Sequence, residues 1–180
     1  MSARAALLLI DMQVDFGAPD GAVARQGRDV TMAQAAMAKA VTLAEAARAG
    51  GVPVVFVRLL ARPGEEFCVE GTVGADFIGP LPRPGEMIVS KSRFSAFTDT
   101  GLAEQLRALG IDTVVLAGLT TECCIQASAW AALEQDFRVI LAADACAAYE
   151  QDLHRHALKA LELSGTTIAS SAELGASWIK

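Results

Sequence analysis

The chain has 180 residues, of which 53% are hydrophobic and 20% charged, and its formal net charge is −6 at pH 7. This length fits one folded domain over residues 1–180 with a sizeable core, and the apolar content excludes a disordered protein. The acidic balance, without any basic run interleaved with aromatics, disfavours nucleic acid as a partner.

The amino-terminal apolar run stops at Asp11, which is too early for a signal peptide or a membrane span. The cysteines (Cys68, Cys123, Cys124 and Cys146) lack the C-x-x-C spacing of metal sites, and the chain has only two histidines. We therefore expect a cytoplasmic protein with free thiols, no membrane partner, no metal and no other cofactor.

Short apolar runs alternate with helical patterns along the chain. The runs predict buried strands, apolar on both faces, over 6–11, 52–58, 87–91, 113–118, 138–144 and 166–170. Helices are predicted over 31–49, 101–109, 121–135 and 152–163, and glycines at 50–51, 110 and 165 stop three of them. This order predicts a three-layer α/β/α sandwich around a six-stranded, mostly parallel sheet.

Residues 61–86 interrupt the alternation with prolines, glycines and acids. Loops of this length in a small domain are often functional. We expect this excursion to cover one edge of the sheet and part of the site.

Polar residues follow several of the predicted strands: Asp11, Arg58, Lys91, the stretch 120–124 and Asp144. In open α/β sheets, ligands bind beyond the carboxyl ends of the strands. Cysteine, aspartate and lysine there can supply a nucleophile, a proton acceptor and a positive charge.

Cys123 and Cys124 stand side by side where a strand is predicted to become a helix, after Thr120 or Thr121 as N-cap. Exposed amides and the helix dipole at that end favour a thiolate. Adjacent helical side chains point about 100° apart, so only one of the two faces the strand ends. The alternative is that both are small buried core residues.

Four segments resemble the isochorismatase-like cysteine hydrolases: LLLIDMQVDF (7–16), SKSRFSAF (90–97), VVLAGLTTECCIQASAWAA (114–132) and RVILAADACAAY (138–149). That superfamily includes nicotinamidases and N-carbamoylsarcosine, ureidoacrylate and biuret amidohydrolases. The resemblance implies a Rossmann-like fold, a homodimer or homotetramer, and a catalytic triad of Asp11, Lys91 and Cys124.

The family signature is glycine, two variable residues, threonine, two variable residues, then cysteine and an apolar residue. In the stretch 118–125 this register selects Cys124 and leaves Cys123 in a variable slot. The resemblance further implies a cis peptide between Leu119 and Thr120 and an oxyanion hole formed by the amides of Thr120 and Cys124.

Two departures from the family pattern stand out. Nicotinamidases bind a metal with an aspartate and two histidines near the second strand, but residues 57–71 contain no histidine. A nicotinamidase is therefore disfavoured. Many relatives also have threonine-alanine-x-aspartate-alanine after the nucleophile, where this chain has Ala131 in place of the aspartate.

These observations predict an amidohydrolase that cleaves a C–N bond of a small amide or ureido compound through a thioester. Gln13 and Phe16 are expected to line the site, with a core position as the alternative for Phe16. Arg58, Arg62 and Arg93 are expected to pair with a substrate carboxylate, with ordinary surface ion pairs as the alternative for each. Segment 68–77 resembles the covering segment of ureidoacrylate- and biuret-type relatives. The alternatives are an isochorismatase-type vinyl ether hydrolase and a catalytically silent interaction module.

Overall fold

The computed structural model describes residues 4–179. Its six strands are β1 (Ala5–Ile10), β2 (Val54–Leu59), β3 (Met87–Lys91), β4 (Thr113–Leu119), β5 (Arg138–Ala147) and β6 (Thr167–Ala169). They form one sheet in the order β3-β2-β1-β4-β5-β6. Every strand pairing within residues 4–179 is parallel, so the sheet is fully parallel where the sequence predicted a mostly parallel one.

Helices cover both faces of the sheet and confirm the predicted three-layer sandwich. They are α1 (Val14–Gly17), α2 (Ala22–Arg25), α3 (Thr31–Ala49), α4 (Leu102–Ala108), α5 (Gln126–Glu134), α6 (Gln151–Leu163) and α7 (Ser171–Trp178). Residues of α3 and α7 pack on one face, and those of α4, α5 and α6 pack on the other. Among residues 4–179, no helix combines the length and apolarity needed to cross a membrane.

The alternation of side chains along β1 shows why the strands read as continuous apolar runs. Leu7 and Leu9 belong to the core beneath α3, whereas Leu8 and Ile10 belong to the opposite core. All four side chains are buried. A strand covered by helices on both faces needs apolar residues at every position.

The fifth strand is longer than predicted and changes the role of one residue. A register irregularity between Leu116 and Gly118 lets β5 continue to Ala147 beside the end of β4. Asp144 therefore lies within the strand, where its carboxylate accepts hydrogen bonds from the Ser171 amide at 2.6 Å and hydroxyl at 2.7 Å. It holds the first residue of α7, so its expected place among the strand-end site residues was wrong.

The strand order reverses between β1 and β4. The chain moves outward from β1 through β2 to β3, then returns to the other side of β1 and continues outward from β4. Such a reversal opens a crevice at the carboxyl ends of the two central strands, where ligands bind in open α/β sheets.

Candidate active site

Asp11, Lys91 and Cys124 meet at this crevice. Asp11 directly follows β1 with a left-handed backbone (φ 54°), and its amide donates to Val57 O at 2.9 Å. Lys91 ends β3, and its Nζ lies 2.7 Å from Asp11 Oδ2 and 3.4 Å from Cys124 Sγ. All three residues are buried. The lysine ammonium thus bridges the carboxylate and the thiol.

Cys124 is carried by a single π-helical turn, Thr121–Ile125, between β4 and α5. The carbonyl of Thr120 accepts hydrogen bonds from the amides of Cys123 at 3.1 Å and Ile125 at 3.2 Å, which closes this turn. The peptide between Leu119 and Thr120 is cis. Cys124 is the buried member of the cysteine pair, whereas Cys123 is partly exposed.

A glycine allows the nucleophile turn to approach Asp11. Gly118 has a φ of 142°, and a Cβ there would collide with the carbonyl oxygen of Ile10, the residue before Asp11. Only glycine permits this distance between the ends of β1 and β4. The conformation of β4 therefore determines how close Cys124 comes to the carboxylate.

Burial and neighbouring charges set the protonation of the three groups. Burial raises the pKa of Asp11, and the ammonium of Lys91 offsets this only in part. Burial lowers the pKa of Lys91, but the charges of Asp11 and Cys124 outweigh it, so the net shift is upward. The lysine stays protonated at neutral pH.

The pKa of Cys124 is raised by the adjacent Cys123 thiol, by burial and by the charge of Asp11. These effects oppose the thiolate that the amides at this helix end and the Lys91 ammonium favour. The thiol therefore needs a base, and Asp11, with its raised pKa, lies beside the same lysine.

A pocket of about 790 Å³ opens above these residues, within the usual size range for small-molecule sites. Its floor includes Asp11, Cys124 and Thr120. Its walls come from several segments and include Phe16, Gln26, Arg28, Glu65, Glu66, Phe67, Arg93, Phe94, Glu122, Cys123 and Tyr149. A smaller cavity of about 410 Å³, which Arg62 helps to line, shares Arg93 and Phe67 with it.

The excursion over 61–86 forms part of the wall and is fastened to the chain that follows β1. The buried carboxylate of Asp15 accepts hydrogen bonds from the amide of Cys68 at 2.7 Å and the amide of Ala22 at 3.1 Å. The amide of Val14 donates to Asp76 O at 2.9 Å. Glu65, Glu66 and Phe67 are thereby held at the pocket.

Of the residues expected to bind substrate, Phe16 and Arg93 line the main pocket and Arg62 lines the smaller cavity. Arg58 lines neither cavity: its guanidinium donates to Ser90 Oγ at 3.1 Å and lies over the ring of Phe77.

Gln13 also lies outside both cavities, because backbone groups occupy its side chain. Its Nε2 donates to Leu59 O and Ala75 O, both at 2.9 Å, and its Oε1 accepts from Leu59 N at 2.8 Å. The residue is fully buried. It joins the end of β2 to the excursion, which is a role that the sequence did not indicate.

The helix after the nucleophile shows what surrounds Ala131. The side chain of Ala131 is partly buried and packs against the hydrophobic core on this face of the sheet. The neighbouring Ser128 is buried, and its hydroxyl accepts a hydrogen bond from Ala96 N at 2.8 Å. Ser128 thereby fastens α5 to the loop that follows Lys91.

The pocket also contains residues that sequence reasoning did not select, above all Glu122 and Tyr149. The hydroxyl of Tyr149 donates to Phe16 O at 2.9 Å, which fixes the pocket wall to the chain after Asp11. Their places in the sequence could have indicated them, because Glu122 lies in the turn that carries Cys124 and Tyr149 closely follows the end of β5.

The residues present do not fit a metal of the nicotinamidase kind. Within residues 4–179, no three or more His, Cys, Asp or Glu side chains are grouped so that they could hold an ion. Of the two histidines, His154 lies on α6, with its Nδ1 2.8 Å from Thr121 Oγ1.

Comparison with known proteins identifies the family. Residues 5–173 match the isochorismatase domain. The chain is 33% identical to maleamate amidohydrolase of Pseudomonas putida over 84% of this chain and 76% of that protein. It is 31% identical to nicotinamidase 3 of Arabidopsis thaliana (86% and 78%) and 27% identical to ureidoacrylate amidohydrolase of Methylobacterium radiotolerans (87% and 72%).

A solved isochorismatase family protein from Desulfovibrio vulgaris superposes with a TM-score of 0.89 at 29% identity, covering 99% of this chain and 100% of that one. The chain belongs to the isochorismatase family of hydrolases. This membership confirms both the family resemblance and the prediction of an enzyme.

Proposed function

We propose that the protein hydrolyses the C–N bond of a small amide or ureido compound through a thioester on Cys124. The observation that carries this proposal is the position of Lys91 Nζ, 2.7 Å from Asp11 Oδ2 and 3.4 Å from Cys124 Sγ. One buried cation then orients a base and a nucleophile at the floor of a pocket of suitable size.

In the first half-reaction, Cys124 Sγ attacks the substrate carbonyl carbon while its proton passes to Asp11. The raised pKa of Asp11 suits this step, because it makes the carboxylate a stronger base than an exposed aspartate. Lys91 remains protonated, and its ammonium stabilises the negative charge that develops on Cys124 Sγ as the proton leaves.

The tetrahedral oxyanion is held by the backbone amides of Thr120 and Cys124. Donors preorganised in this way each contribute about 3–4 kcal/mol to transition-state stabilisation. Asp11 returns its proton to the leaving nitrogen, the C–N bond breaks, and ammonia or an amine departs.

In the second half-reaction, Asp11 accepts a proton from water, and the resulting hydroxide attacks the thioester carbonyl. Collapse of this intermediate breaks the C–S bond and regenerates the Cys124 thiol with the proton from Asp11. The products are the acid of the acyl part, or a carbamic acid when the substrate is a ureido compound.

The substrate class rests on the pocket and on the relatives. Maleamate and ureidoacrylate amidohydrolases are named for small amides or ureides of carboxylic acids. Arg93 and Arg28 line the pocket and can pair with such a carboxylate, since guanidinium matches its geometry. A short peptide is not the expected substrate.

Incubation with a panel of ureido acids, biuret-like compounds, maleamate-like amides, nicotinamide and short peptides tests the proposal. Ammonia release reports hydrolysis of the amides and ureido compounds, and newly formed free amino groups report cleavage of the peptides. We expect turnover of at least one ureido compound or small amide, abolished in Cys124→Ala. The vinyl ether alternative requires turnover of isochorismate instead. The silent-module alternative requires no turnover of any compound.

A further inference from the structure

Glu122 has a buried oxygen that nothing in the described chain satisfies. The residue lies in the nucleophile turn, two positions before Cys124, and lines the same pocket as Asp11. Its Oε2 is buried and has no hydrogen-bond partner among residues 4–179. A buried carboxylate oxygen normally has a partner, so this one is expected to have a partner that is not part of the chain.

The cations and hydroxyls nearby already have other contacts or lie too far away. Arg28 and Arg93 line the pocket, but within residues 4–179 neither forms an ion pair with Glu122. The Tyr149 hydroxyl is donated to Phe16 O. Lys91 directs its ammonium at Asp11, Cys124 and the carbonyl of Arg93.

The charge of Glu122 also matters for what enters the pocket. Asp11 and Glu122 both line it, and the buried ammonium of Lys91 already contacts Asp11 and the Cys124 thiol. A second carboxylate beside the nucleophile repels an anionic group at that depth and attracts an N–H donor. An ionised carboxylate accepts hydrogen bonds and cannot donate them.

We propose that Glu122 is a specificity-determining residue, whose carboxylate accepts a hydrogen bond from a substrate N–H group on the non-leaving side of the scissile carbonyl. This inference rests on the proposed amide hydrolysis. It predicts that the enzyme prefers ureido compounds to plain amides as substrates. Any substrate carboxylate then lies toward Arg93, away from Glu122. A pocket built to accept a substrate N–H discriminates strongly against an analogue that lacks it.

Two compounds of the same length and charge isolate this contact. N-Carbamoylglycine carries an N–H between its carbonyl and its methylene group, and succinamate has a methylene in that place. Both release ammonia from the same terminal amide. The measured quantity is the ratio of their kcat/KM values, which cancels effects that act equally on both.

Glu122→Gln removes the charge with little change of shape, and Glu122→Met removes the acceptor as well. We expect the ratio of N-carbamoylglycine to succinamate to fall about tenfold or more in Glu122→Met, and by a smaller factor in Glu122→Gln. Glu134→Gln is the control, because Glu134 is exposed on the adjoining helix and lies outside the pocket; it leaves the ratio unchanged.

If the ratio of the two kcat/KM values is unchanged in both Glu122 variants, the inference is wrong. An equal loss of kcat/KM with both substrates also overturns it, because that result would assign Glu122 to the catalytic machinery. A wild-type enzyme that hydrolyses other amides but not N-carbamoylglycine also overturns it, and leaves amide hydrolysis standing. No turnover of any amide in the wider panel removes the proposed function, and the inference with it.

Discussion

Two adjacent cysteines have different surroundings, and only one of them contacts Lys91. Cys124 lies 3.4 Å from Lys91 Nζ, whereas Cys123 is partly exposed at the pocket wall. We expect Cys124→Ala to lose all turnover, because within residues 4–179 Cys124 supplies the thiol that lies within hydrogen-bond distance of Lys91 Nζ, and Cys123→Ala to keep most of it. Ammonia release by the two purified variants measures this difference directly.

Alkylation with iodoacetamide and peptide mapping gives a second measurement. Cys68 and Cys146 are buried and line neither cavity, so iodoacetamide should not reach them readily, whereas Cys124 lines the pocket beside Lys91 and Asp11. Loss of activity should follow modification of Cys124. If inactivation instead followed modification of Cys123 and was absent from Cys123→Ala, the assignment of the nucleophile would be wrong.

Asp11 should determine the acid side of the pH profile. The carboxylate must be unprotonated to accept the thiol proton, and burial raises its pKa above the usual 3.8. Activity should therefore rise with pH through a midpoint above the ordinary carboxyl range. The alkaline side should not reflect Lys91 near neutrality, because its pKa is raised above 10.5.

Asp11→Asn tests the same role. An amide cannot shuttle a proton, so kcat should fall by about 100- to 10,000-fold. Circular dichroism checks that the fold is intact. A profile with its acid midpoint at or below 3.8, or an Asp11→Asn enzyme with most of the wild-type rate, would argue against proton transfer through Asp11.

The sequence was informative about residues that follow strands and less so about those that face the pocket. Asp11, Lys91 and the stretch 120–124 could be selected because each lies at a strand end, and the family resemblance then selected Cys124 within that stretch. The structure brings the three side chains together. Gln13 could not be assigned correctly, since its contacts are backbone groups 46 and 62 residues away. Such contacts leave no local pattern in the chain.

At the level of elements, the close approach of β4 to β1 depends on Gly118. Gly118→Ala would place a methyl group against Ile10 O and move the nucleophile turn away from Asp11. We expect a loss of about 1–3 kcal/mol in unfolding free energy and a larger relative loss of kcat. Thermal unfolding and ammonia release measure the two effects separately.

Gly165→Ala is the matched control, because Gly165 also has a positive φ, 99°, but a Cβ added there would meet no atom within 4 Å. It should lower stability through backbone strain alone, by roughly 1–2 kcal/mol, and leave kcat unaltered. Equal losses of kcat in the two variants would mean that the approach of the strands does not set the catalytic geometry.

Gln13 tests whether the excursion is held by the end of β2. In Gln13→Leu, the amide and carbonyl of Leu59 and the carbonyl of Ala75 lose their partners, at a cost of about 1–3 kcal/mol. The melting temperature should fall, whereas the exposed Gln105→Leu should leave it nearly unchanged. A raised KM with unaltered stability would instead support the direct substrate contact that the sequence suggested.

The long elements could be predicted from the sequence, and the short ones could not. The helix over 31–49 was predicted with the bounds that the structure shows, because nineteen residues of helix-forming composition end at the glycine pair 50–51. Helices α1 and α2 have four residues each, too few for any periodic signal. Helix α7 did have a different signal in the sequence, an N-terminal capping box formed by Ser170 and Glu173.

For the whole molecule, we propose a single domain over residues 1–180, with one parallel sheet joining both cores.

A homodimer or homotetramer remains a prediction. Large apolar side chains, including Ile88 on the edge strand and Phe94 at the pocket, are exposed and suit burial between subunits. Light scattering coupled to gel filtration gives the mass, and a stable monomer of 18.8 kDa would contradict the prediction.

The last prediction concerns metal dependence. A nicotinamidase-type site needs an aspartate and two histidines near β2, but residues 57–71 contain no histidine, and His154 contacts Thr121 from α6. Prolonged dialysis against a chelator should therefore leave kcat and KM unchanged, because Lys91 supplies the positive charge beside Asp11 and Cys124. Elemental analysis of the active enzyme should find less than one metal ion per several chains. Activity that is lost on dialysis and restored by zinc, manganese or iron would show that an ion takes part in the reaction.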